Sequence, residues 1–190
     1  MDIIPYFIKK SVTYLKPNRL LNEREGKVMK NDQLEVLYNK YYKELYVYAL
    51  SLCKDNYLAQ DLINETFFKA LLSIDNIQHY IKFWLFRVCK NLYLDYLKKN
   101  KRLEDMESHM KELFQEDNTL DKIIKSEQRK KVYCEVLKLQ QSYKEIIILY
   151  YYCSLTLQEI GSIIGISEGA ARTLLFRARK KLKESLKEEH

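Results

Sequence analysis

The sequence predicts an all-α protein built as two small helical modules joined by an acidic linker, and three observations lead there. Only 4 Gly and 2 Pro occur in 190 residues, too few for the tight turns of a sheet-rich fold. Apolar residues recur every three or four positions over long stretches, which is the period of a helix face. A reversal of charge between residues 103 and 127 divides the periodic chain in two.

An apolar fraction of 47% is enough for one ordinary core or two small ones and excludes a wholly disordered chain. Thirty-three Lys and Arg against 26 Asp and Glu give +7 and a pI near 9.0, which points to an anionic partner, either nucleic acid or an acidic protein surface. Cys53, Cys89, Cys134 and Cys153 form no Cys-x-x-Cys and have no His at ligand spacing. They read as buried thiols in a reducing compartment, not as a zinc or disulfide framework, so no cofactor is expected. No stretch reaches the roughly 18 to 20 apolar residues of a membrane span. The Ile3 to Ile8 run is short and is followed by Lys9 and Lys10, and the expectation is a cytoplasmic protein.

Residues 1–29 hold Pro5, Pro17 and the polar stretch Asn22 to Lys27 and match no strong period. Two readings stand side by side: an upstream stretch ahead of a start at Met29, or a short packed helix. From Leu34 the pattern sharpens, with Leu37, Tyr38, Tyr41, Leu45, Tyr48, Ala49 and Leu52 along one stripe of a long amphipathic helix. A second helix spans about Leu58 to Ser73. Leu62, Ile63, Phe67, Ala70 and Leu71 are its apolar positions, and Asp61, Glu65 and Lys69 are displayed at i, i+4 and i+8. Asp75-Asn76 breaks it. A third helix runs from near Tyr80 through Trp84, Leu85, Val88, Leu92 and Leu97 to the basic cluster Lys98, Lys99, Lys101 and Arg102, whose charge suits a helix C-terminus. These elements form a module over residues 30–103. Between 103 and 127, eight acids stand against three lysines, so residues 104–127 are expected to be a solvated tether. Helical periodicity and positive charge return over 128–190, through Val132, Val136, Leu139 and the apolar run Ile146 to Tyr152.

The most specific segment is Thr156 to Lys181. Thr156 and Glu159 form a Thr-x-x-Glu capping box that starts a helix. Gly165 supplies a left-handed turn, Ile166 is expected to fill the core, and Ser167 caps a second helix from Glu168. Leu157, Ile160, Gly161, Ile164, Ala171 and Leu174 fall where a helix-turn-helix needs close packing. The second helix then exposes Arg172, Thr173, Phe176, Arg177, Arg179, Lys180 and Lys183. Arginine reaches guanine bidentately, while Lys and Ser or Thr mostly fix the phosphate register. Basic helices are often merely solvated, but the turn pattern selects DNA binding.

In this arrangement the chain resembles the small sigma factors of the extracytoplasmic-function group, within the sigma-70 family, over about residues 34 to 187. Asp61-Leu62-Ile63-Asn64-Glu65-Thr66-Phe67 is similar to the family's Asp-Leu-x-Gln-Glu-Thr-Phe segment. Trp84-Leu85-Phe86-Arg87-Val88-Cys89-Lys90-Asn91 with Asp95-Tyr96-Leu97 resembles its Trp-Leu…Arg-Asn…Asp-Tyr helix, and Ile166-Ser167-Glu168-Gly169 with Phe176-Arg177-Ala178-Arg179 its recognition helix. Three matches in order, separated by a linker, are more specific than any one.

The resemblance implies a region 2 bundle and a region 4 helix-turn-helix that bind core RNA polymerase and promoter DNA. It implies no small-molecule substrate, and a partner that occludes both modules, an anti-sigma protein that in the family is often membrane-bound. Asp61, Leu62, Asn64, Glu65 and Phe68 would dock on the clamp of the polymerase's largest subunit, where acids at helical spacing suit basic partners. The loop and helix from residue 73 to 102 would engage and help melt the −10 element, through Asn76, His79, Tyr80, Lys82, Trp84, Arg87, Lys90, Asn91, Lys98, Lys99 and Arg102. Aromatic faces hold unpaired bases and cations hold the backbone, although a small module must also bury aromatics, and Trp84 and Tyr93 read first as core. The −35 element would be read as duplex, with Arg172, Thr173, Phe176 and Arg177 toward bases, Ser167, Arg179 and Lys180 toward phosphates, and Glu168 at the helix start. Ala170, Ala171 and Leu174 depart from the family's usual residues, and the 75–79 loop is not the usual Arg- and Gly-rich version, so the promoter sequence does not carry over. Two other functional classes compete with this reading. A helix-turn-helix regulator acting without polymerase would bind DNA alone. An enzyme lacks material, because three histidines, no clustered acid pair and no Gly-rich phosphate loop build no site.

Overall fold

The apolar stripe that begins at Leu34 folds as α1, Asn31–Cys53, in a computed structural model that describes residues 31–73, 80–101, 123–124 and 127–188. Leu34, Tyr41, Leu45, Tyr48, Ala49 and Leu52 are buried, as their spacing requires, and so are Tyr46, Val47 and Leu50. A helix buried on more than one face needs neighbours on more than one side. Those neighbours are α2 (Asn56–Ser73) and α3 (Ile81–Lys101) together with elements of the C-terminal half.

Local chemistry sets the ends. Lys54 adopts φ 55°, and its N–H meets the Leu50 carbonyl at 2.8 Å, stopping α1 at a conformation that costs a residue with a side chain about 1–2 kcal/mol. The next residue starts α2, because Asp55 Oδ1 accepts the Leu58 N–H at 2.9 Å. Rings tie the three helices together: Tyr38 lies 4.8 Å from Phe67 and Tyr48 5.5 Å from Phe86, within the range of favourable aromatic pairing. The break expected at Asp75-Asn76, the status of residues 1–29 and most of the linker lie outside the described residues.

In the C-terminal half, α4 (Glu127–Lys138) leads into α5 (Gln141–Ile147), which widens into a π-helical turn at Ile148–Tyr152. The Cys153 N–H closes that turn on the Ile148 carbonyl at 3.0 Å. Apolar periodicity marks this run as helical but does not register one wide turn. The pair α6 (Leu157–Ile164) and α7 (Glu168–Glu188) follows. Among the described residues there is no strand and no helix long and apolar enough to cross a membrane.

Both modules contribute to one contiguous buried cluster. α1 packs on α5 and the π turn, and α3 packs on α6. Three expectations need correction. Ile124, assigned to the solvated tether, is only 8% exposed and joins the core, because an apolar pair at the linker's end follows its own hydrophobicity rather than the acids before it. Ile166, expected in the core, is 36% exposed. Cys134 is exposed, whereas Cys89 and Cys153 are buried; burial pushes the Cys53 thiol up to about 11 and that of Cys89 to about 12, which keeps both un-ionised at neutral pH.

Candidate nucleic-acid interfaces

The Thr156 to Lys181 segment folds with its caps in place. The Thr156 N–H donates to Glu159 Oε2 at 2.8 Å, and the Glu159 N–H donates to Thr156 Oγ1 at 3.3 Å. Gly165 has φ 80°, and its N–H and that of Ile166 both reach the Gly161 carbonyl at 2.8 Å. This places the Ile166 carbonyl 2.6 Å from where a Cβ on Gly161 would stand, so the close approach of turn and helix requires glycine there. The Ile166 side chain is turned outward while its backbone closes the turn. Ser167 Oγ accepts the Ala170 N–H at 3.2 Å and starts α7. The packing positions are Ile160, Gly161 and Ile163 against Ala171, Leu175 and Ala178. Ile164 and Leu174 are only partly buried, so the sequence pattern was offset by one residue at two of its positions.

Burying Ala171, Leu175 and Ala178 leaves Arg172, Thr173, Phe176, Arg177, Arg179 and Lys180 exposed along α7, with Phe176 at 70%. Arg172 Nη2 lies 3.0 Å from Glu168 Oε1, so Glu168 orients a neighbouring guanidinium. Arg179 sits 5.4 Å from the ring centroids of both Tyr150 and Tyr151, themselves edge to face at 5.0 Å. The π turn thus holds one cation of α7, a contact no sequence spacing announced.

The expected −10 residues divide. On α3, Arg87, Asn91 and Lys98 follow one exposed stripe and Lys99 is exposed beside it. Arg87 lies 5.9 Å over Phe83, and Lys98 is 3.4 Å from Asp95. Tyr80 is 71% exposed, while Trp84 and Tyr93 are half-buried against the core. Lys82 is engaged with Glu44 at 2.7 Å. Lys90 leaves the stripe altogether: its side chain is 14% exposed and its ammonium lies 2.8 Å from Glu145 Oε1. Asn76, His79 and Arg102 lie outside the described residues.

On α2, Asp61 and Glu65 are exposed, Asn64 and Phe68 half-buried, and Glu65 is 3.6 Å from Lys69. Leu62 is corrected. It is 5% exposed and packs in the core, because one residue of helix turns it about 100° from Asp61.

At the module junction, Tyr48 OH donates to Glu145 Oε1 at 2.7 Å, Tyr133 OH donates to the Val47 carbonyl at 2.9 Å, and Cys153 Sγ lies 3.6 Å from the Glu44 carbonyl. Burial first, then the Glu145 charge, raises the Tyr48 phenol well above its usual value, so it stays a donor. Sequence reasoning passed over Glu145; its signal is an acid directly before the apolar run Ile146 to Tyr152.

Comparison with known proteins agrees with this layout. Residues 37–103 match the family description Sigma-70 region 2, and residues 129–182 match Sigma-70, region 4. The extracytoplasmic-function (ECF) RNA polymerase sigma factor SigM of Bacillus subtilis is 34% identical over 153 residues, covering 79% of this chain and 93% of that protein. The chain is a member of the ECF sigma factors of the sigma-70 family. SigW of the same organism is 27% identical over 183 residues, covering 89% of this chain and 98% of its own. Among solved structures, the sigma factor RpoE from Bartonella quintana, in complex with the anti-sigma factor NepR, matches with a TM-score of 0.63 at 22% identity over 82% of this chain and 98% of that one. CnrH in complex with the cytosolic domain of CnrY matches with 0.59 at 21%, over 85% and 92%. As a sigma factor the protein binds core RNA polymerase and directs promoter-specific transcription.

Proposed function

We propose that residues 30–103 read and help melt the −10 element while residues 128–190 read the −35 element as duplex, with residues 104–127 as the acidic connection. The capped helix-turn-helix carries this reading: one face of α7 is buried by Ala171, Leu175 and Ala178, and the opposite face presents Arg172, Thr173, Phe176 and Arg177. A helix so mounted offers bidentate arginines to guanine and an aromatic edge to a thymine methyl. Ser167, Arg179 and Lys180 fix the phosphate register, with Arg179 held by its two tyrosines. On α3, Arg87, Asn91, Lys98 and Lys99 form the exposed −10 stripe, beside Tyr80. Asp61, Asn64, Glu65 and Phe68 form the docking face for the polymerase clamp. The protein performs no chemistry of its own, works in the cytoplasm beside polymerase, and is held by an anti-sigma partner, as the sigma factor RpoE is by NepR in one of the similar solved structures. A regulator acting without polymerase is not favoured, because relatives matched over nearly their whole length are sigma factors.

Mapping transcript starts after overexpression tests the division. The new starts are expected to share two upstream blocks at a fixed separation, and Arg177→Ala to reduce transcription from them roughly 10- to 100-fold, the weight of one bidentate base contact. Starts sharing no upstream block, or an Arg177→Ala protein as active as the native one, would remove α7 from promoter recognition.

A further inference from the structure

One cation of α7 is held by rings instead of by a carboxylate. The Arg179 guanidinium lies 5.4 Å from the ring centroids of both Tyr150 and Tyr151, inside the roughly 6 Å over which a ring face attracts a cation. Other cations of the helix are paired with acids, Arg172 with Glu168 at 3.0 Å and Lys181 with Glu184 at 3.4 Å. Among the described residues no carboxylate pairs with Arg179. The difference is chemical. A carboxylate competes with a phosphate for a guanidinium, because both offer anionic oxygens to the same N–H fork. A ring face fixes the guanidinium plane and leaves its N–H edge and its full charge available.

The backbone brings both rings to one place. In an α-helix consecutive side chains point about 100° apart, so neighbours such as Tyr150 and Tyr151 would diverge. Here the helix widens at Ile148–Tyr152, and the two rings meet edge to face at 5.0 Å and 78°. Turns of this kind recur at functional sites. α5 packs along α7, which sets the widened turn beside Arg179. Tyr151 stays 53% exposed, so more than half of it lies outside the core. A free arginine loses rotamer freedom when it meets a phosphate, whereas one already held has lost that freedom beforehand.

We propose that Tyr151, backed by Tyr150, is a positioning residue that holds the Arg179 guanidinium toward a DNA phosphate beside the bases α7 reads. This role rests on the reading of α7 as the −35 helix and of Arg179 as its phosphate contact. Phe176 stands three residues before Arg179, a neighbour on the helix surface. A phosphate anchored by Arg179 therefore fixes how Phe176 and Arg177 enter the groove.

The test uses core polymerase reconstituted with the full chain and a labelled promoter fragment taken from the mapped transcript starts, titrated at salt concentrations between about 50 and 200 mM. Arg179→Gln is expected to weaken binding roughly 3- to 10-fold and to lower the slope of log affinity against log salt by about 1. Tyr151→Leu keeps the charge and is expected to weaken binding roughly 3- to 5-fold, the weight of one exposed ring–cation contact. Tyr151→Phe keeps the ring face and is expected to stay within about 1.5-fold of the native protein. In the Arg179→Gln background, Tyr151→Leu is expected to add nothing. That dependence separates positioning from a merely structural role, which would weaken binding in both backgrounds. No loss in Tyr151→Leu, the same loss in Tyr151→Phe, or an equal loss with and without Arg179 overturns the positioning and leaves Arg179 as a phosphate contact. Native affinity and an unchanged salt slope in Arg179→Gln overturn the phosphate reading itself, while Arg177→Ala on the same fragment reports separately on α7.

Discussion

Replacing Gly161 by valine is expected to disable the C-terminal half of the protein, to which we assign the −35 element. A Cβ at this position stands 2.6 Å from the Ile166 carbonyl oxygen, and that oxygen belongs to a turn fixed by Gly165 at φ 80° and by two N–H bonds to the Gly161 carbonyl. Backbone so held does not swing aside as a long side chain would. Valine gains a few tenths of a kcal/mol in helix propensity over glycine, but overpacking of this kind costs about 1–3 kcal/mol or more. Sliding α6 off α7 to relieve it uncovers Ile160, Ala171 and Leu175. A loss of about 3 kcal/mol is a large share of a small domain's stability. Urea unfolding followed by circular dichroism is expected to show an early transition for the C-terminal half, and protection of −35 DNA in the polymerase complex to disappear. Gly165→Ala is the comparison. Nothing lies within 4 Å of its Cβ position, so only the left-handed backbone is penalised, by about 1 kcal/mol. Equal melting of Gly161→Val and the native chain would mean that the turn is not as tightly built as described.

Reversing two charges on α2, Asp61→Lys with Glu65→Lys, is expected to leave folding intact and to lower affinity for core polymerase at least roughly 100-fold, about 3 kcal/mol. Both residues are exposed, and the Glu65–Lys69 contact at 3.6 Å is a half-exposed surface pair worth under about 1 kcal/mol. The effect therefore belongs to the interface and not to stability. Anisotropy of the labelled protein titrated with core enzyme measures it, alongside a thermal melt. An unaltered titration would move the docking face away from Asp61 and Glu65.

Much of the fold was legible because helices advertise themselves locally. The stripe from Leu34, the capping box at Thr156 and the left-handed Gly165 each act within one or two turns, so sequence spacing carries them. Gly161 was placed correctly as a close-packing position for the same reason. What spacing cannot carry is contact between distant segments. Tyr48 and Glu145 stand 97 residues apart, and nothing in either neighbourhood says that they meet. Lys90 therefore looked like a free cation on a DNA-facing helix when it is half of an ion pair between modules. Ile124 was lost in an acidic stretch whose average charge concealed its apolar end. Leu62 came with a motif whose members were treated as one surface, although successive helical residues face about 100° apart. Ile166 was read by side-chain type when its backbone does the work, through the N–H that reaches Gly161 and the carbonyl that excludes a Cβ there.

The most direct test of the central claim is transcription in vitro with purified core polymerase, this protein and a library of genomic fragments. Discrete run-off products are expected that require both the enzyme and this protein and that start downstream of paired −35 and −10 elements. In a gel shift, the same fragments are expected to show only weak, salt-sensitive binding to the protein alone. Tight, sequence-specific binding without core polymerase, together with no protein-dependent transcript from any fragment, would contradict the account.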